Sequence, residues 1–166
     1  KKREFHIKNL LEKTKNDIEI AHFYWNKKDA KLLKSFDVKA VDINPSAVKC
    51  AKANAVLNRV SSRITFLNCN LFAKVRGKFD LIIFDPPFRW FTPRDMLERS
   101  IADKNYSTLT SFFRQVKNYL AKDGRILIFF GTSADLKYLE HLINKHNFKK
   151  KVIAKKVLFR NNEKWI

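Results

Sequence analysis

Apolar and polar positions change period several times along this chain, and each change marks an element. The sharpest run is Phe79-Asp80-Leu81-Ile82-Ile83-Phe84, five apolar residues in six, with Gly77 ahead of it and Pro86-Pro87 behind it. A short apolar run bounded by turn formers reads as a buried parallel strand. Pro86 and Pro87 have no N–H to give a ladder, so the strand stops at Asp85, and Pro86 pushes Asp85 into an extended conformation. Val38 to Ile43 reads as a second strand, ending on Asp42. Asn44 then suits a helix N-cap and Pro45 the first helical position. Val48, Ala51 and Ala55 continue as a thin stripe of small residues to about Asn58, suited to close packing on a sheet.

Arg63 to Leu67 is the next short strand. Leu109, Phe112, Phe113, Val116 and Leu120 predict an amphipathic helix, capped by Ser107 or Thr108 and stopped by a left-handed Gly124. Arg125 to Phe130 reads as a buried strand, and Leu136, Leu139 and Ile143 as one face of a helix. Lys151 to Phe159 and Lys164 to Ile166 read as strands joined in a hairpin through Arg160-Asn161-Asn162-Glu163. Upstream the signals are weaker. Lys1 to Glu12 is partly helical in pattern, Ile18 to Trp25 alternates as a strand, and Asn26 to Phe36 resembles the end of a helix. The alternation predicts an α/β fold, a Rossmann-like doubly wound, mostly parallel sheet with a C-terminal antiparallel hairpin. In such sheets ligands lie at the carboxyl ends of strands, where Asp42 and Asp85 fall.

Length and composition narrow the picture. The 166 residues fit a single domain, 1–166, with an N-terminal element over 1–25. No apolar run approaches a membrane span and no signal peptide opens the chain, so a soluble cytoplasmic protein is expected. Cys50 and Cys69 lack metal-ligand spacing and are expected as buried reduced thiols. His141 and His146 do not share a helix face, so no metal site is expected. Thirty-five basic against 16 acidic residues give a formal charge of +19. A polyanionic partner, most commonly nucleic acid, is the natural inference; the alternative is a Lys-rich solvated surface.

Asp85-Pro86-Pro87-Phe88 resembles motif IV, (Asp/Asn)-Pro-Pro-(Tyr/Phe), of the class I S-adenosylmethionine (SAM)-dependent amino-methyltransferases. Val41-Asp42-Ile43-Asn44-Pro45 is similar to their motif II and Asn68-Cys69-Asn70-Leu71-Phe72 to their motif III. The closing hairpin is what that fold adds to a Rossmann-like sheet. The resemblance implies a cofactor site at Asp42, Ile43, Asn70 and Leu71. Asp42 would accept from both ribose hydroxyls of SAM, and Asn70 from the adenine amine while its neighbours pack the ring. It implies a catalytic set of Asp85, Pro86, Pro87 and Phe88. The Asp85 carboxylate and Pro86 carbonyl would hold both hydrogens of an exocyclic nitrogen, and Phe88 would stack on the planar target.

Two departures stand out. Asn70 occupies a position where the family often has Asp. No Gly-rich turn precedes Asp42, since the glycines are Gly77, Gly124 and Gly131. Either the chain is a degenerate member, or the sequence is discontinuous between about Ile20 and Leu32, with the first strand and Gly-rich loop missing; the low Gly count favours the latter. Ala40 to Phe88 looks most like the small-methyltransferase group, which holds release-factor glutamine methyltransferases and ribosomal RNA guanine and adenine N-methyltransferases. Glutamine methyltransferases usually carry Asn first and Tyr last in the tetrapeptide. Asp85, Phe88 and the following Arg89 instead resemble a ribosomal RNA guanine methyltransferase, and with the charge they point to RNA, with DNA or protein substrates left open. Arg89, Trp90, Phe91 and Arg94, with Arg99, would then line a stacking and phosphate-binding lip; the other reading is a solvated loop with anchors in the core. The alternatives are a protein-glutamine methyltransferase and a non-catalytic nucleic-acid-binding module.

Overall fold

The computed structural model describes residues 18–21, 36–131, 133–153, 158–160 and 163–165. The chain divides into two compact units, Lys1–Pro86 with Arg114–Phe129, and Pro87–Phe113 with Phe130–Ile166.

The first unit is built on a five-stranded parallel sheet, in the order β3-β2-β1-β4-β5. Its strands are β1 (Ile18–Ala21), β2 (Val38–Asp42), β3 (Ile64–Asn68), β4 (Phe79–Phe84) and β5 (Leu120–Ile128). β1 lies at the centre, paired with both β2 and β4. This corrects the expectation of a missing first strand. The described strand, Ile18–Ala21, has the charged Glu19 within it, which weakens its apolar signal. Of the N-terminal element, residues 18–21 form β1; its remaining residues and, beyond Ala21, the interval of the expected discontinuity lie outside the described residues.

β4 carries the core. Leu81, Ile82 and Ile83 are almost wholly buried, as expected for a strand covered on both faces. Leu81 and Ile83 cluster with Phe36, Val38, Ala55, Val60 and Ile64. Helix α1 (Pro45–Leu57) begins as its sequence predicts: Asn44 Oδ1 accepts from Ser46 N at 2.9 Å, and Pro45 opens the first turn. Val48 and Ala55 are its buried residues. Cys50 lies some 200° around the helix from Val48 and is exposed, contrary to the expectation of two buried thiols; Cys69 is buried, and both are free.

The region before β5 departs from its prediction. The helix over the Leu109 pattern, α2 (Ser107–Gln115), ends early in a 3₁₀ turn, and Leu120 already belongs to β5. Phe79 pairs with Leu120 but Leu81 with Arg125, so two steps on β4 face five on β5. Gly124 sits in this bulge. It is not left-handed, since Gly77 is the glycine with positive φ among the described residues. A Cβ at Gly124 would lie 2.7 Å from the Phe79 carbonyl oxygen, so close approach selects glycine there.

In the second unit α2 presents Leu109, Phe112 and Phe113 to the interior. Its cap is neither Ser107 nor Thr108 but Asp103, only 3% exposed. The Asp103 carboxylate accepts from Ser107 Oγ (2.9 Å), Thr108 N (2.9 Å) and Leu109 N (3.0 Å). Helix α3 (Leu136–Lys145) is capped by Asp135, which accepts from Tyr138 N at 2.9 Å. Its buried residue is Leu142; Leu136, in the first turn, is exposed. β6 (Leu158–Arg160) and β7 (Glu163–Trp165) form the expected antiparallel hairpin as a two-stranded sheet of their own, with Arg160 opposite Glu163. Of the strand expected over Lys151 to Phe159, residues 151–153 are not strand, 154–157 lie outside the described residues, and Leu158 and Phe159 belong to β6. No helix among the described residues is long and apolar enough to cross a membrane.

Candidate active site

The sheet register sets the site in the first unit. Ala21 of β1 pairs with Val41 on one side and Phe84 on the other. The next residues along those two flanking strands are Asp42 and Asp85. Both carboxylates therefore stand one step past the same row, on either side of the carboxyl end of β1. Two inter-strand spacings separate their backbones, about 10 Å. From β1 the chain runs outward to β2 and β3, then returns to β4 on the other side, so the sheet's switch point lies between these two aspartates.

Asp42 is half-buried, and its Oδ1 accepts from Asn44 N at 2.7 Å. Its backbone is tied to the end of β3. Cys69 N donates to Asp42 O (3.1 Å), and Asn68 Nδ2 donates to both Asp42 O and Ile43 O (2.9 Å each). This lashing brings the Asp42-Ile43 and Asn70-Leu71 dipeptides together. Asn68, named in the sequence only as part of its motif, is the tie between these strand ends, and a side-chain amide at a strand end is its signal. Asn70 is exposed, and its carbonyl accepts from Ala73 N at 3.1 Å in the turn that follows. Leu71 has φ 45°, a left-handed backbone that a leucine adopts at a cost, and such strain concentrates at ligand sites.

Asp85 is exposed at the sheet rim, and Pro86 is buried behind it. In the second unit Pro87 and Phe88 are half-buried. The Phe88 ring lies 6.1 Å from that of Phe130, tilted by 59°. A Cβ at Gly131 would meet the Phe88 ring at 3.5 Å.

Arg89, Trp90, Phe91, Arg94 and Arg99 are all exposed, and the anchors of their loop are Ala102, Asp103 and Tyr106. Arg89 N donates to Ile101 O (2.9 Å) and Asp103 N to Arg89 O (2.6 Å), which closes the loop at its base. Arg94 is held by Glu98: its Nε donates to Oε1 and its backbone N to Oε2, each at 2.8 Å. Hydrogen bonding from Arg94 holds the Glu98 carboxyl below the usual range and raises the guanidinium in return. Arg94 thus braces the loop from an exposed position, and Arg89 and Arg99 are exposed as well.

The sequence pattern of the methyltransferase small domain matches residues 27–160. A protein assigned as an N5-glutamine methyltransferase in Methanocaldococcus jannaschii is 39% identical over 100 residues, covering 55% of this chain and 48% of that protein. Ribosomal RNA small subunit methyltransferase C of a Marinomonas species is 28% identical over 91 residues, covering 55% of this chain and 23% of its own. The chain thus spans about half or less of the length of these relatives. Among solved structures, the ribosomal protein L11 methylase of Lactobacillus delbrueckii superposes with a TM-score of 0.64 at 19% identity, over 98% of this chain and 75% of that one. With its 3-2-1-4-5 parallel sheet and a family match over most of its length, the chain belongs to the methyltransferase small-domain family and has the class I methyltransferase fold.

Proposed function

We propose that this chain, acting as one domain, transfers a methyl group from SAM to an exocyclic amine of a base in RNA. The observation that carries the reading is the placement of Asp42 and Asp85 one step past a common register row, flanking the end of β1.

SAM is the cofactor that family membership implies, and the donor set suits it. Asp42 is a half-buried carboxylate whose backbone is fixed by Cys69 and Asn68, a fitting acceptor for a pair of ribose hydroxyls. Asn70 offers a side-chain carbonyl to an adenine amine. When bound, SAM supplies an electrophilic methyl group on a sulfonium. Everything else falls to the chain. The target nitrogen is a poor nucleophile because its lone pair is delocalised into the ring. Asp85 and the Pro86 carbonyl accept its two hydrogens, which turns the lone pair out of conjugation and stabilises the positive charge that develops on nitrogen. The methylated nitrogen is acidic once formed, so no dedicated base is needed. Phe88 is assigned stacking on the planar target from its place in the tetrapeptide. A base in a duplex must be flipped out to reach such a site, so single-stranded or unfolded RNA is the expected substrate.

The Asp42→Ala variant should bind SAM about 10- to 100-fold more weakly, from the loss of hydrogen bonds to a charged acceptor. Calorimetric titration reads this directly, and an unchanged dissociation constant would remove Asp42 from the cofactor site.

Support for RNA comes from the +19 charge, from Asp85 and Phe88 at the tetrapeptide ends, and from the exposed Arg89 and Trp90. A second reading, methylation of a protein glutamine, is favoured by the 39%-identical relative. Labelled methyl transfer from SAM to RNA, DNA and protein fractions separates them. Label in RNA, with rates that fall steeply as salt rises, is the expected result. Label confined to protein would overturn the RNA reading.

A further inference from the structure

The second unit holds a hollow of about 460 Å³, in the size range of small-ligand sites, at the mouth of the Arg89 to Asp103 loop. We propose that it binds a nucleobase of the RNA substrate other than the methylated one, with Trp90 as the stacking surface and Asp135 as the reader of the base edge. The inference rests on the RNA reading above and extends it to sequence context.

Trp90 lines the hollow and is 71% exposed, a large indole face left to water. The inner wall is built from Tyr106 and Tyr138, whose rings stack at 5.4 Å and 21°. Their hydroxyls are committed to the protein: Tyr106 Oη accepts from Asp135 N at 3.0 Å, and Tyr138 Oη shares a hydrogen with Thr110 Oγ1 at 2.8 Å. The wall therefore presents chiefly ring surface to the hollow, with the Tyr106 hydroxyl hydrogen as a remaining donor. Asp135 is the charged group of the lining, beside the neutral Asn105 and Ser133. Its Oδ1 caps α3, while Oδ2 has no partner among the described residues and its side chain is exposed at the hollow.

A carboxylate only accepts, so it selects a base edge that presents donors. Guanine presents two side by side, N1–H and the N2 amine. Adenine and cytosine present one amine, and uracil presents N3–H between two carbonyls that the carboxylate repels. Guanine is therefore the preferred occupant. The backbone beneath the hollow is strained, with Asn105 at φ 54° and Tyr106 at φ 51°, left-handed in two consecutive residues that are not glycine. Asp103 and its bonds to α2 hold that conformation, and strain held in place at a pocket is a mark of a working site. Lys104 and Lys137, exposed and next in sequence to lining residues, suit the adjoining phosphates.

The test uses fluorescence anisotropy at fixed salt with labelled RNA pentamers, all-uridine or with one central guanosine, adenosine or cytidine. The parent should bind the guanosine strand most tightly. Trp90→Ala should weaken every strand by roughly 5- to 100-fold, the range for loss of one stacked base. Asp135→Asn retains a capping oxygen, so the helix stays intact, and it should flatten the guanosine preference while leaving the all-uridine strand within about threefold. Circular dichroism melts confirm that both variants fold. If the parent methylates RNA but both variants bind with the parent's affinity and base order, the pocket is overturned and the RNA reading stands. If the parent binds none of the strands and methylates protein alone, the RNA reading fails and takes the pocket with it.

Discussion

An Asp85→Ala variant should lose methyl transfer by about 10²–10³-fold or more while binding SAM within about twofold of the parent. The size of the effect follows from what the carboxylate is assigned to do. Aligning a delocalised nitrogen lone pair and stabilising the charge that builds on it are both transition-state effects. Removing one preorganised partner of such a charge typically costs two to three orders of magnitude in rate. The separation from cofactor binding follows from the sheet. Asp85 lies past β4, two strands away from Asp42, and β4 itself is locked by the burial of Leu81 through Phe84. Asp85 is exposed, so its loss opens no cavity in the core. Asp85→Asn keeps one acceptor oxygen and should fall between parent and alanine variant. Single-turnover transfer to RNA, with calorimetry for SAM, measures both halves. Parent-like transfer by Asp85→Ala would remove the carboxylate from the chemistry, and an equally large loss of SAM binding would reassign it to the cofactor.

The pairing of those two aspartates shows where sequence reading works and where it stops. β2, α1 and β4 were legible because each ends at an abrupt chemical boundary: Asp42 to Asn44-Pro45, Asn58 after Ala55, and Asp85 to Pro86-Pro87. Such boundaries act over a few residues, and local physics decides them. That Asp42 and Asp85 stand past the same row is a matter of register between strands far apart in the chain, which no local pattern encodes. β1 was faint because its partners, not its own four residues, make it a strand. Gly124 was legible as a special position but for the wrong reason, since its constraint is the Phe79 carbonyl across the bulge rather than its own φ. The Glu98 that pairs with Arg94 was not legible, since a lone arginine and one paired at i,i+4 read alike in sequence. The hollow beside Trp90 was illegible throughout, since Tyr106 and Tyr138 meet only once the second unit is folded.

Asp103→Ala should be strongly destabilising for a polar substitution in that unit, with melting lowered by roughly 6–12 °C. The carboxylate is nearly inaccessible and accepts from one hydroxyl and two backbone amides at the start of α2. Truncation leaves amides of the first turn unpaired beside the buried Leu109, where water reaches them poorly. Loss of a cap costs about 0.5–2 kcal/mol and each buried unsatisfied donor about 1–3 kcal/mol, so about 3 kcal/mol in all is a reasonable expectation. For a chain of this length each kcal/mol corresponds to about 2–4 °C. Ser107→Ala removes a single one of these donors and should cost less than about 1 kcal/mol. Asp103→Asn keeps one accepting oxygen and should recover about half of the alanine loss, an order that separates hydrogen bonding from mere volume. The same carboxylate holds Asn105 and Tyr106 in their left-handed turn, so its loss should also relax the strained floor beneath Trp90. Melting within about 2 °C of the parent for Asp103→Ala would mean that water replaces the carboxylate without cost, and that the turn keeps its shape for some other reason.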